Sequence, residues 1–173
     1  MKPCPSSNMA VEASYCASWM AAVEANNARG WRTVPSECVR HVESYMIGGQ
    51  YKSDVDAVVE RVAAYLDGVV AADDGKDVWL LDSAADEQSF SLSLSLSLYD
   101  FRGDAFDSTA FRNWILRGDC PAIPAVLGLY EKLMGRGFQV FLVTGRDEEV
   151  LGSSTAANLA AQGFVGHQRL IMR

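Results

Sequence analysis

The second half of the chain alternates strand, helix, strand, helix, strand, which predicts an α/β fold with a parallel sheet preceded by an amino-terminal helical segment. Three observations carry this expectation. Short apolar runs lie at 78–81, 138–143 and 170–172, segments of helical period separate them, and the first 72 residues contain helical blocks without a strand-like run. One domain over residues 1–173 follows, with a helical segment over 1–72 and a partial α/β core over 77–173, because this length suits a single hydrophobic core.

The helical segment opens with blocks at 14–27 and 35–46, the second with Pro35 placed for a first helical turn. Gly48 and Gly49 break the pattern. Val55, Val58, Val59, Val62, Ala63 and Leu66 then recur at the spacing of one helix face, the signature of a helix packed on a core. After a turn at Asp73, Asp74 and Gly75, the run Val78, Trp79, Leu80, Leu81 ends at Asp82 and reads as a buried parallel strand. Helices are expected at 108–116 and 124–134, the latter stopping at Gly135 and Gly137. A second buried strand spans 138–143, a helix spans 147–161 up to Gly163, and Leu170, Ile171 and Met172 begin a third strand.

Residues 83–98 depart from this regularity, since Ser91 to Leu98 is a four-fold Ser-Leu alternation. Period two fits a half-buried strand. A run of alternating C and T bases also translates into Ser-Leu repeats, so the low-complexity insert reads equally as translated microsatellite or retained intron, and a loose loop is then expected.

Composition limits function. Hydrophobic residues at 49% and charged residues at 21% are ordinary for a folded chain. A net charge of -7 and a pI near 4.8 repel polyanions, which argues against nucleic acid or an anionic membrane surface as partner. No apolar run reaches bilayer length, and the opening MKPCPSSNMAVEASYCASW lacks the charged start and apolar core of a signal peptide, so no export signal is read. Four cysteines, Cys4, Cys16, Cys38 and Cys120, lack the paired close spacing of a zinc site. Cys16 and Cys38 could pair within the helical segment in an oxidising compartment, with Cα atoms then within about 7 Å; burial as reduced thiols is the alternative.

Ligands of open parallel sheets bind beyond the carboxyl ends of the strands, where this chain places Asp82 and Thr144. An aspartate there can attack phosphorus, while Thr144 and the Gly145 N–H can hold phosphate oxygens. The plainer reading makes Asp82 a turn cap and Thr144 a helix cap.

Cys16-Ala-Ser-Trp19, Val23-Glu-Ala-Asn-Asn27, Trp31, Val34-Pro35, Glu37-Cys38 and Tyr45-Met-Ile-Gly-Gly-Gln-Tyr51 occur in the order and spacing of a known amino-terminal region. Asp77-Val-Trp-Leu-Leu-Asp82, Ala105-Phe-Asp-Ser-Thr-Ala-Phe111, Leu142-Val-Thr-Gly-Arg-Asp-Glu148 and Leu170-Ile-Met-Arg173 continue the series. With these motifs the chain resembles the plant acid phosphatase and vegetative storage protein family of the haloacid dehalogenase superfamily. The resemblance implies an incomplete Rossmann-like, haloacid dehalogenase-type sheet. It further implies hydrolysis of a small phosphomonoester through an aspartyl phosphate, with Mg2+ as cofactor. Asp82 then resembles the nucleophile and magnesium ligand, and Thr144, with Gly145, the phosphate-binding motif.

The family pattern has an acid two residues after the nucleophile and a threonine two further on, where this chain has Ala84 and Asp86. Moving Asp86-Glu87 onto the acidic pair instead puts Ala84 at the nucleophile, so the first motif is broken on either alignment. The family's later lysine and acidic magnesium ligands follow the strand near Leu170, so the chain is expected to be short at its carboxyl end. The resemblance therefore predicts an inactive member. A vegetative storage protein, or a mis-spliced product with no function of its own, are the rival readings. Relatives are commonly secreted or vacuolar.

Overall fold

The computed structural model describes residues 6–28, 33–72, 75–82, 107–118 and 120–173, with side chains from Ala13 onward. Residues 83–98, and with them Ala84 and the Asp86 alternative, lie outside the described residues, as do Asp73 and Asp74. The elements run α1 (Ser6–Glu24), a 3-10 turn (Ser36–Cys38), α2 (Val39–Ile47), α3 (Gln50–Asp67), β1 (Val78–Asp82) and α4 (Ser108–Arg117), followed by α5 (Pro124–Gly135), β2 (Gln139–Val143), α6 (Glu148–Ala161) and β3 (Arg169–Ile171). The three strands form one parallel sheet in the order β1-β2-β3.

Local chemistry accounts for most boundaries. Asp107 caps α4 by accepting hydrogen bonds from the backbone N–H groups of Thr109 and Ala110 at 2.8 and 3.1 Å, and Asp147 caps α6 through the Val150 N–H at 2.9 Å. Pro124 occupies the first turn of α5, where its missing N–H costs nothing. Gly49 divides α2 from α3 at φ +99°, a left-handed conformation that a side chain disfavours. The first helix begins earlier and ends earlier than the apolar blocks predict, and the second starts as a 3-10 turn after Pro35 rather than at it.

One face of the sheet builds the main core. Trp79, Leu81, Val140, Leu142 and Leu170 alternate onto this face and pack with Leu66 of α3, Leu129, Tyr130 and Leu133 of α5, and Leu159 of α6. Tyr130 Oη donates to the Val165 carbonyl at 2.7 Å, which satisfies its buried hydroxyl and ties α5 to the loop before β3. A smaller cluster joins α4 to α6 through Phe111, Trp114, Ile115, Cys120 and Leu151.

The opposite face corrects one sequence expectation. β1 is not buried on both sides: Val78 is 41% and Leu80 63% exposed, and exposure alternates along the strand. The reason is covering: among the described residues neither apolar cluster packs on the face that Val78 and Leu80 present.

The helical segment joins this core through α3. Lys132 Nζ lies 2.8 Å from Asp67 Oδ1, and Arg136 contacts both that carboxylate and the Leu66 carbonyl, so one cation of α5 and one at its carboxyl-terminal cap meet the carboxyl end of α3. The hydrogen bond from Lys132, with the nearby charges of Lys132 and Arg136, holds the Asp67 carboxyl below its ordinary pKa. At the α2–α3 corner, Tyr45 Oη donates to Asp54 at 3.0 Å and Gln50 Nε2 donates to the other oxygen at 2.8 Å. Burial, and then the hydrogen bond to Asp54, push the Tyr45 phenol up to about 12. Cys16 and Cys38 are joined as a disulfide with a Cα separation of 5.3 Å.

Candidate functional site

Parallel pairing sets the site. In register, Asp82 is the partner of Val143, and Val143 the partner of Ile171. Asp82 therefore ends β1 at the level where β2 runs into Thr144 and Gly145, and both strand ends share one edge of the sheet. Alternation sends the Asp82 side chain to the same face as Leu80, away from the main core.

The turn after β2 is held from three directions. Its backbone continues the ladder: Thr144 N–H donates to the Ile171 carbonyl at 2.9 Å, Arg173 N–H to the Arg146 carbonyl at 3.0 Å, and Glu148 N–H to the Arg173 carbonyl at 3.0 Å. Within the turn, the Arg146 N–H reaches Thr144 Oγ1 at 3.4 Å, a long contact that orients the hydroxyl weakly. From below, Arg146 Nη1 donates to Thr155 Oγ1 on α6 at 3.1 Å, and Arg146 is 8% and Thr155 0% exposed. A buried guanidinium requires such acceptors, because its desolvation is expensive without them.

Thr155 was not singled out by the sequence, and Arg146 stood only inside the Leu142–Glu148 motif without a role of its own. The apolar count in α6 misleads, because its inward stripe is Leu151, Thr155, Asn158 and Leu159, half of it polar. Asn158 Nδ2 donates to the Cys120 carbonyl at 3.0 Å and so ties the segment between α4 and α5 to α6. A usable signal existed in two polar residues lying in phase with Leu151 and Leu159.

Asp107, inside the quoted motif, has a local task as the cap of α4. Among the described residues no three His, Cys, Asp or Glu side chains gather as a metal cage. No described helix is long and apolar enough to cross a membrane.

The family model for HAD superfamily, subfamily IIIB (Acid phosphatase) matches residues 2–173. The chain is 38% identical over 158 residues to acid phosphatase 1 of Solanum lycopersicum, covering 91% of this chain and 61% of that protein. It is 32% identical over 163 residues to the stem 28 kDa glycoprotein of Glycine max, covering 91% and 60%. With vegetative storage protein 1 of Arabidopsis thaliana the identity is 29% over 160 residues, covering 91% and 58%. The chain thus spans about three fifths of the length of these relatives. Among solved structures, the class C acid phosphatase from Bacillus anthracis, crystallised with tungstate bound, superposes with a TM-score of 0.51 at 16% identity, covering 75% of this chain and 54% of that one, a likeness of fold.

Proposed function

The chain belongs to the acid phosphatases of HAD superfamily subfamily IIIB, and from that premise we propose that it binds small phosphomonoesters at the carboxyl edge of its sheet without hydrolysing them. The observation that carries the binding half is the register of Asp82 with Val143, which sets the aspartate beside the Thr144–Gly145 turn. In this reading the Thr144 hydroxyl and the Gly145 N–H hold phosphate oxygens, and the Asp82 carboxylate faces phosphorus. Mg2+, by family resemblance, is the ion that Asp82 would help to hold, and it would neutralise phosphate charge.

Turnover fails in this reading for a chemical reason. Attack by Asp82 forms an acyl phosphate only as the P–O bond to the alcohol breaks, and the departing alkoxide needs a proton. The residue two positions on, where the family supplies that acid, is Ala84. Losing a positioned general acid costs about 10²- to 10⁴-fold in rate. A protein that keeps the fold and loses the acid is suited to a storage role, and similarity to a vegetative storage protein supports that second reading.

The test is direct. Purified protein should release phosphate from glycerol 2-phosphate, whose leaving alkoxide needs the missing proton, with magnesium at acidic pH no faster than a protein-free blank. It should also bind inorganic phosphate by calorimetry, with binding lost in Thr144→Val. Magnesium-dependent turnover abolished by Asp82→Asn would overturn the non-catalytic assignment, and undiminished binding in Thr144→Val would overturn the assigned phosphate site.

A further inference from the structure

Among the described side chains, the helical layer formed by α1, the 3-10 turn and α2 has a thin interior, with Trp19, Met20, Val23, Val42 and Tyr45 only half-buried. Among its described side chains two are buried, Cys16 at 1% and Cys38 at 0% exposure, and they are the two halves of the disulfide. α2 buries no residue at all, while Tyr15 and Ile47 are about half exposed. The α/β core is the opposite case, with Leu66, Leu133 and Val140 wholly buried. A layer whose buried centre is one covalent bond depends on that bond, whereas a layer built on aliphatic packing does not.

We propose that the Cys16–Cys38 bond is a redox clasp: its reduction opens the α1–α2 layer to proteases while the α/β core stays folded. The reductant is a dithiol. One of its thiolates attacks a protein sulfur, and the other protein sulfur leaves as thiolate and takes a proton. The second thiol of the reductant then closes its own disulfide and frees the remaining cysteine. Two electrons and two protons pass to Cys16 and Cys38. Attack requires access, and both sulfurs are buried, so reduction proceeds through local opening of the layer. The inference stands independently of the phosphate site.

The bond spans a sequence separation of 22. Closing a loop of that length restricts the opened layer enough that its loss should raise the open population about 10²-fold. Limited proteolysis of the full chain, oxidised or treated with dithiothreitol, reads this directly when cleavage follows the open population. Fragments mapped by mass spectrometry should show cleavage within residues 6–47 accelerated about 10²-fold by reduction, and cleavage within 124–173 essentially unchanged. The paired variant Cys16→Ser, Cys38→Ser should behave as the reduced chain without reductant, and Cys120→Ser as the oxidised one. Equal resistance of 6–47 in both redox states overturns the clasp. So does simultaneous cleavage of both regions on reduction, because the bond is then a staple for the whole fold. Thiol mapping that finds Cys16 and Cys38 free after air oxidation overturns it as well.

Discussion

Thr155→Val is the perturbation that best tests how the turn after β2 is held. The substitution keeps shape and volume and removes one hydroxyl, which at present accepts from Arg146 Nη1 at 3.1 Å inside the fold. Nothing need collapse, so cavity terms are small, and the effect is that of withdrawing one acceptor from a buried cation. Hydrogen bonds to charged groups contribute about 1.5–3 kcal/mol. With a urea m-value of about 2 kcal/mol/M for a chain of this size, the midpoint should fall by about 1 M. By the scaling for domains of about 150–250 residues, the melting temperature should fall by about 3–12 °C. The assay is urea denaturation followed by far-UV circular dichroism, with Thr155→Ser as the control that restores the acceptor and most of the stability. Because Arg146 directly follows Thr144 and Gly145 in the turn, the phosphate binding proposed there should weaken in Thr155→Val and recover in Thr155→Ser. A Thr155→Val midpoint within about 0.2 M of the parent, an effect in the range of ordinary surface substitutions, would refute the reasoning, since the guanidinium would then rest on other partners.

Three further outcomes are expected. Leu66→Ala removes a wholly buried side chain where α3 meets the α/β core, and should cost about 2–5 kcal/mol in the same denaturation assay. Asp107→Ala leaves the N–H groups of Thr109 and Ala110 without their cap and should cost about 1 kcal/mol, with faster amide exchange confined to the first turn of α4. The Tyr45 phenol is raised in the fold from 10.0 to about 12, so the folded chain holds that proton more tightly than the unfolded chain. Its stabilisation is complete below pH 10 and is lost as the pH rises through about 12. Tyr45→Phe should flatten that part of an alkaline stability profile, and an unchanged slope would count against the Tyr45–Asp54 bond.

The amino-acid order by itself determined which residues form elements and which motifs they carry. The Val55 to Leu66 stripe specifies α3, Pro124 starts α5, Gly49 divides α2 from α3, and short apolar runs ending at Asp82 and Val143 specify two strands. These signals are local: side-chain period and backbone punctuation act within a few residues and survive any packing. The ordered motifs through Leu142-Val-Thr-Gly-Arg-Asp-Glu148 likewise carried the family, which residues 2–173 match. Tertiary structure decided what lies across from what. Leu80 reads as buried from its apolar run yet is exposed, because burial depends on whether a distant segment covers that face. Thr155 and Arg146 carry no sequence signal of burial yet meet in the interior, because α6 turns a half-polar stripe inward. Whether Cys16 and Cys38 meet was equally open, since α1 and the turn before α2 can be oriented in many ways and only their packing brings the Cα atoms to 5.3 Å. A sequence states the period of each face; the covering of that face is a property of contacts between residues far apart in the chain.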